Sequence, residues 1–157
     1  MARIVGSHGK ATAKSIQEQS LKLFAKHGYA AVSMRQIAEE VGIQASGLYL
    51  YYKTKQQMLL DVMQRHMDEL LAAWDESDCP DDPAAALEHF TRFHIRFHMT
   101  RPDAVFVSYM ELRSLEVAEF KVIEGLRKRY ENILRTILHR GSATGAFKVT
   151  DPHVKAM

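Results

Sequence analysis

A short amphipathic segment in the first third of the chain places the strongest constraint on its fold. Ser33 precedes this segment and Gln36 stands three residues later, which is the spacing of a capping box at a helix N-terminus. Gly42 follows and is placed to end the helix. The residues that share its apolar face are Met34, Ile37, Ala38 and Val41. The segment therefore predicts a short helix that packs one face against its neighbours.

Helical signals continue along nearly the whole chain. Gly28 is placed to end a first helix with a positive φ. Thr54 is placed to cap a fourth helix, with Gln57 in the capping-box position. Asp82 and Pro83 form the N-cap and first-turn proline of a fifth. Because no strand pattern or internal repeat accompanies them, we predict an all-α protein.

The remaining predicted helices cover residues 44–52, 102–115 and 117–140, the last of them ended by Gly141. Another helix start at residues 151–152 lies so close to Met157 that we expect the C-terminal helices to be missing or truncated. The predicted domains are residues 1–54, containing three helices, and residues 55–157, a helical bundle.

The charge is distributed unevenly. Residues 1–60 hold eight Lys and Arg against three Asp and Glu, whereas residues 61–157 hold thirteen against sixteen. The basic N-terminal part favours a polyanionic partner, although chance also produces such an imbalance of charge.

Several function classes are disfavoured. No apolar run approaches the roughly 20 residues that span a bilayer, and the N-terminus has no apolar stretch typical of a signal peptide. With the single cysteine Cys79, which excludes an intrachain disulfide, this predicts a cytoplasmic protein without a membrane partner.

Chemical motifs are equally scarce. The chain has no GxSxG, HExxH or phosphate loop, so we predict no catalytic residue and no cofactor. His94 and His98 have a spacing that can hold zinc, with His89 nearby, but no carboxylate or cysteine joins them at matching spacing. We therefore favour satisfied or surface histidines over a metal site.

Two short amphipathic helices joined by a glycine-containing turn are typical of a helix-turn-helix. Leu48 and Tyr52 are the predicted apolar anchors of its second helix, with Ile43 in the turn. Small, amide and phenol side chains suit close contact with bases and phosphates. Those predicted to be exposed are Gln44, Ala45, Ser46, Gly47, Tyr49 and Tyr51.

Residues 13–62 resemble the DNA-binding domain of the TetR family of transcriptional regulators. The resemblance rests on "LFAKHGY", "SMRQIAEEVG", "LYLYY" and "KTKQQML", taken together. It implies a homodimer, a palindromic operator in double-stranded DNA and a helical C-terminal domain that binds a small inducer.

The resemblance also assigns residue roles. It implies that Ser33 caps its helix and approaches phosphate, and that Arg35 reaches a base or the backbone. Tyr49 and Tyr51 would touch phosphate or a thymine methyl, and Lys55 would hold phosphate. Residues 44–47 would begin the recognition helix.

The chain also departs from the family pattern. Ala45 and Leu50 stand where the family often carries basic residues, and no basic residue lies between positions 44 and 52. Base readout would therefore depend on Arg35, Gln44 and apolar contacts. Lys10 and Lys14 could add backbone contacts or form a solvated terminus.

The back half resembles a TetR subgroup that responds to acyl-CoA thioesters. An apolar slot with a few polar groups would suit an acyl chain, although such a stripe can equally be core. The candidate pocket residues are Phe90, Phe93, His94, Phe97, Phe106, Tyr109, Met110, Arg113 and Arg127.

These features predict a ligand-responsive repressor released by a small-molecule inducer. An activator or a non-specific DNA-binding protein remains an alternative, as does an acyl-ligand-binding enzyme or carrier.

Overall fold

The computed structural model describes the backbone of residues 5–148 and the side chains from residue 9 onward. Within this part of the chain the all-α prediction is confirmed, and no strand is present. The helices are α1 (Val5–His27), α2 (Met34–Val41), α3 (Ala45–Leu48), α4 (Lys55–Asp75), α5 (Pro83–Met99), α6 (Pro102–Met110) and α7 (Val117–Ala143), with a 3₁₀ turn at Leu112–Ser114 between the last two. The helix start predicted at residues 151–152 lies outside the described residues.

Local capping chemistry sets most helix ends. The Gln36 N–H donates to Ser33 Oγ at 3.2 Å, and the Ser33 N–H donates to Gln36 Oε1 at 2.7 Å, which confirms the capping box of α2. Gly28 and Gly42 adopt φ values of 81° and 76°, which end α1 and α2 as predicted. Asp82 Oδ2 accepts from the Ala85 N–H at 2.8 Å at the start of α5.

The cap of α4 differs in part from the prediction. The Gln57 N–H donates to Thr54 Oγ1 at 3.1 Å, as expected for an N-cap. The Gln57 side chain, however, accepts from the Lys53 N–H at 2.9 Å and not from Thr54. The reciprocal bond therefore reaches one residue further back along the chain.

The third helix is shorter than the predicted segment 44–52. It ends at Leu48, and the Tyr51 and Tyr52 N–H groups both donate to the Leu48 carbonyl, at 3.0 and 3.1 Å. The Tyr52 hydroxyl donates to Asp61 on α4. The hydrogen bonds from Leu50 N–H to the Gly47 carbonyl and from Tyr51 N–H to the Leu48 carbonyl span three residues instead of four, so the segment after Leu48 is a turn.

The last two predicted helix ends also need correction. α6 stops at Met110, and the 3₁₀ turn occupies the residues predicted to extend it. α7 continues through Gly141, where a side chain would collide with the Phe147 ring, 1.9 Å from an ideal Cβ position. Gly145, with φ 74°, follows the true end of the helix. Gly141 thus serves close packing, and not a helix stop.

The chain forms two compact units. The first contains the described residues up to His66 together with Asp103–Lys121, and the second contains Met67–Pro102 and the described residues from Val122 onward. The first buries Ile16, Phe24, Ile37, Leu48, Met58 and Leu59. The core of the second includes Met67, Leu70, Leu71, Trp74, Ala86, Phe90, Phe97, Tyr130 and Ile137. The functional boundary expected after residue 54 stays a prediction.

Candidate nucleic-acid interface

Helices α2 and α3 form a helix-turn-helix in the first unit. Ile37 and Ala38 are the buried residues of α2, and Leu48 is the buried residue of α3. The Ile43 N–H donates to the Ala38 carbonyl at 2.9 Å, which closes the turn between the two helices. Burial of these apolar side chains fixes the orientation of α3 and leaves its other sides on the surface.

The residues around Leu48 form an exposed edge, which we call the 44–51 edge. Gln44 and Ser46 are exposed, while Ala45 and Gly47 are half-buried. The exposed fractions of Tyr49, Leu50 and Tyr51 are 45%, 79% and 40%. All six predicted contact residues of this segment are therefore at least partly accessible, and their contact with DNA stays a prediction.

Gly47 leaves open space on this edge. A Cβ atom built at this position would meet nothing within 4 Å, and the backbone has no positive φ there. Gln44 makes no side-chain cap hydrogen bond with α3. A residue without a side chain beside an exposed amide group suits close approach to a base edge.

Tyr52 faces the opposite way from Tyr49 and Tyr51. Its hydroxyl and the Gln17 amide both donate to Asp61 Oδ2, and Arg65 Nη1 donates to Gln17 Oε1 at 2.9 Å. Burial, followed by the hydrogen bond to Asp61, raises the pKa of Tyr52. Tyr52 is thus a neutral anchor that holds the turn against α1 and α4.

Ser33 and Arg35 lie at the start of α2. The Ser33 hydroxyl accepts from the Gln36 N–H and lies 2.9 Å from Gln36 Oε1, so it serves the cap. The Arg35 side chain is 84% exposed and pairs with Glu39 at 3.0 Å. Since exposed pairs of this kind contribute little, Arg35 can exchange Glu39 for a phosphate at small cost.

Lys55 requires a correction. Its ammonium donates to the Tyr29 and Val32 carbonyls, both at 2.7 Å, and to the Ala30 carbonyl at 3.5 Å. It also lies 4.2 Å from the centroid of the Tyr29 ring, and burial lowers the pKa of Lys55. The carbonyls of the loop after Gly28 converge on the Lys55 ammonium. Lys55 therefore points toward the protein and not toward the exposed edge.

Glu111 is not among the predicted site residues. Its Oε1 accepts from the Tyr29 N–H at 3.0 Å, and its Oε2 accepts from Ser114 Oγ at 2.8 Å. Gln56 Nε2 donates to the Ser114 carbonyl at 2.6 Å. These hydrogen bonds join the end of α6 to the α1–α2 loop and to the start of α4. We call this set of bonds the 111–114 link. No sequence signal pairs Glu111 with Tyr29, because 82 positions separate them.

The candidate pocket residues divide between the two units. Phe90 and Phe97 are buried in the core of the second unit, where Phe90 lies 5.2 Å from both the Trp74 and Tyr130 rings. Phe93 and His94 are half-buried beside them. Phe90 and Phe97 are therefore core residues, and the rings packed around Phe90 leave no room beside it for an acyl chain.

The other candidate pocket residues are mostly on the surface. In the first unit, Phe106, Tyr109 and Met110 are 43%, 57% and 52% exposed, and Arg113 is exposed as well. Arg127 is half-buried on α7 in the second unit. The pocket role of these residues stays a prediction.

His94 and His98 on α5 have hydrogen-bond partners within the protein. His94 Nδ1 lies 3.3 Å from the Tyr130 hydroxyl, and His98 Nδ1 lies 2.8 Å from the His94 carbonyl. Burial, and then the neighbouring His98, lower the pKa of His94. Among the described residues no group of three or more His, Cys, Asp or Glu side chains is arranged to hold a metal ion. None of the described helices combines the length and apolar character needed to cross a membrane.

Family models match both parts of the chain. Residues 16–62 match the model described as "Bacterial regulatory proteins, tetR family", and residues 80–157 match "Tetracyclin repressor-like, C-terminal domain". The first match contains α2, α3 and the 44–51 edge.

Individual proteins agree with these matches. The fatty acid metabolism regulator protein of Bacillus subtilis is 25% identical over 135 residues, which cover 85% of this chain and 69% of the relative. A tetR-family regulatory protein from Rhodococcus RHA1 superposes with a TM-score of 0.88 at 27% identity, covering 92% of this chain and 77% of that one.

A third similarity concerns the fold alone. AibR, solved in complex with isovaleryl coenzyme A and operator DNA, has a TM-score of 0.76 at 24% identity and covers 92% of this chain and 80% of its own. Together, the helix-turn-helix, the two matched models and the similar regulators show that this chain belongs to the TetR family of transcriptional regulators.

Proposed function

We propose that this protein is a ligand-responsive repressor that binds a palindromic operator as a homodimer and is released by a small inducer. The observation that carries the proposal is the 44–51 edge, an accessible surface held by the buried side chain of Leu48. The protein would act in the cytoplasm, where its operator lies, and it would regulate rather than catalyse.

The 44–51 edge would supply the base contacts. The Gln44 amide can form paired hydrogen bonds with adenine, and the Ser46 hydroxyl can bond either a base or a phosphate. Tyr49 and Tyr51 would donate hydroxyls to phosphates or lie against a thymine methyl. Ala45 and Gly47 are small enough to let the backbone approach the groove.

Phosphate contacts would come from exposed cations on α1 and α2. Arg35 on α2 is exposed, and Lys10 and Lys14 are exposed on α1. Lys14 pairs with Glu18 at 3.7 Å, an exposed contact that a phosphate can replace. Neutralising several phosphates releases counterions, so operator affinity should fall steeply as salt rises.

The proposed inducer is an acyl-CoA thioester. One similar regulator is named for fatty acid metabolism. A protein of the same fold was solved with a CoA thioester and operator DNA together, so this fold can accommodate both kinds of ligand.

The 111–114 link would couple inducer binding near α6 to the position of the helix-turn-helix. Glu111 and Ser114 directly follow α6, and they bond to Tyr29 beside the helix-turn-helix and to Gln56 on α4. A ligand that binds one arrangement of α6 better than another would thereby bias the position of the 44–51 edge.

Replacing Glu111 by Gln should reduce the response to inducer. Glutamine keeps the size of the side chain, but a neutral amide oxygen is a weaker acceptor than a carboxylate for the Tyr29 N–H and Ser114 hydroxyl. We expect the ratio of operator affinities without and with acyl-CoA to fall by about fivefold, an effect of about 1 kcal/mol. Fluorescence anisotropy of a labelled operator measures this ratio.

Glu116→Gln is a charge-matched control, because the hydrogen bonds at the link use only the backbone N–H of Glu116, and its exposed carboxylate acts on Tyr29 through charge alone. An E111Q protein that keeps the full inducer response would show that the link does not carry it.

The proposed function itself is tested by titrating the purified protein onto DNA flanking its own gene at several salt concentrations. We expect a preferred palindrome, a steep salt dependence and release by an acyl-CoA. Equal affinity for every sequence would rule out a specific regulator.

A further inference from the structure

An open groove of about 340 Å³ lies along α5 and the residues that follow it, entirely within the second unit. Its volume is at the lower end of the range for small-molecule sites. The lining residues are His89, Arg92, Phe93, Arg96, Phe97, Thr100 and Arg101. We call this feature the α5 groove.

Three arginines make the α5 groove strongly basic, and Arg101 is held in a fixed position. The Arg101 guanidinium lies 3.8 Å from the centroid of the Phe97 ring. Its Nη1 donates to Thr100 Oγ1 at 2.9 Å and to the Phe97 carbonyl at 3.2 Å. Its contact with Glu69 is long, at 3.8 Å. Such a stacked guanidinium is already ordered for an anion.

The other two arginines are more available. Arg92 pairs with Glu88 at 2.8 Å, but the two side chains are 63% and 65% exposed, so water screens the pair. Arg96 is exposed and forms no ion pair or side-chain hydrogen bond with any residue in the range 9–148. The groove thus holds more positive charge than its neighbours neutralise.

The floor of the α5 groove is aromatic. Phe93 is half-buried, stacked on Phe97 at 5.9 Å and in edge contact with Trp74 at 5.2 Å. His89 also contacts Trp74, at 5.6 Å, and its buried Nε2 has no hydrogen-bond partner among residues 9–148. A planar ring can lie on such a floor while a hydrogen-bonding atom remains to be satisfied.

We infer that the α5 groove binds a phosphate-bearing heteroaromatic group, with the phosphates on Arg92, Arg96 and Arg101 and the ring against Phe93. Guanidinium groups match phosphate geometry, and several of them favour several phosphate charges over the single charge of a carboxylate. The inference rests on the proposed function, in which this group is the nucleotide end of the acyl-CoA inducer.

The test is direct binding of free coenzyme A, adenosine 3′,5′-bisphosphate and octanoate to the full chain, without DNA. The first two carry the phosphates and the ring, whereas octanoate carries only an acyl carboxylate. The chain has one tryptophan, Trp74, which touches two groove residues, so its emission should shift when the groove is occupied. Calorimetry gives the affinities.

Arg96→Gln should lower the affinities for coenzyme A and for the bisphosphate by at least about tenfold, because it removes charge-assisted hydrogen bonds. It should leave octanoate unchanged. Arg129→Gln is the matched control, because Arg129 is equally exposed in the second unit, on α7, and lies outside the groove. Arg92→Gln provides a second groove variant, and circular dichroism establishes that each variant is folded.

Equal affinities of R96Q and R129Q for coenzyme A would overturn the inference. The inference would also fail if R96Q lost octanoate affinity by the same factor as coenzyme A affinity. The proposed function has a separate outcome. If operator binding fails while R96Q selectively weakens coenzyme A, the groove assignment holds and the repressor proposal does not. If an acyl-CoA releases the operator from wild type and R96Q alike, the repressor proposal holds and the groove assignment does not.

Discussion

Replacing Gly47 by Glu is expected to weaken operator binding by at least about a hundredfold, or about 3 kcal/mol, without lowering thermal stability. The position has open space for a side chain and no positive φ, so the fold tolerates the change. A carboxylate at this point would lie between the 44–51 edge and the DNA groove, and it would repel the DNA phosphates. Fluorescence anisotropy on the operator and a thermal melt measure the two effects.

Gly125→Glu gives a matched control for this prediction. Gly125 lies on α7, and a Cβ atom there also meets nothing within 4 Å, so both the substitution and the change in net charge are the same. We expect its operator affinity to stay within about threefold of wild type, because Gly125 is not part of the 44–51 edge and an exposed charge outside the contact is largely screened. Equal losses in both variants would mean that total charge, and not the 44–51 edge, governs binding.

Replacing Lys55 by Gln should cost about 2 kcal/mol of unfolding free energy. The ammonium satisfies the Tyr29 and Val32 carbonyls at 2.7 Å each, and a glutamine amide is shorter and uncharged. Urea unfolding followed by circular dichroism measures the difference. Operator affinity should also fall, because the loop before α2 loses its support.

Lys53→Gln separates this structural role from a direct phosphate contact. Lys53 is exposed and donates to a single carbonyl, that of Tyr49, at 3.0 Å, so its loss should cost well under 1 kcal/mol of stability. If Lys55 instead holds a phosphate, K55Q and K53Q would have similar unfolding free energies. The slope of log affinity against log salt would then become shallower by about 0.9 in K55Q.

Local chemistry made much of the fold predictable from sequence. Ser33 and Gln36 satisfy each other across three residues, and Gly42 supplies the left-handed conformation that ends α2. Asp82 and Pro83 act in the same local way at the start of α5. Such signals need only near neighbours, so their spacing in the sequence already contains the information.

Long-range contacts explain where the sequence was insufficient. The converging carbonyls that hold Lys55 come from residues more than twenty positions away, and the partner of Glu111 is more distant still. Periodicity placed Phe90 and Phe97 on an inner face but could not distinguish a filled core from a slot, because both require the same apolar stripe. The exposure of Tyr49 and Tyr51 and the inward position of Tyr52 followed from helical spacing even though α3 itself is short.

The attachment of α3 through one fully enclosed leucine has an evolutionary consequence. The exposed positions in and beside this four-residue helix contribute little to the hydrophobic interior, so they can change with small effects on folding. A duplicated gene could therefore acquire a new DNA target through a few point substitutions, without compensating changes elsewhere. Diversification of targets in such a lineage would be limited by selection for the right promoter rather than by the tolerance of the scaffold.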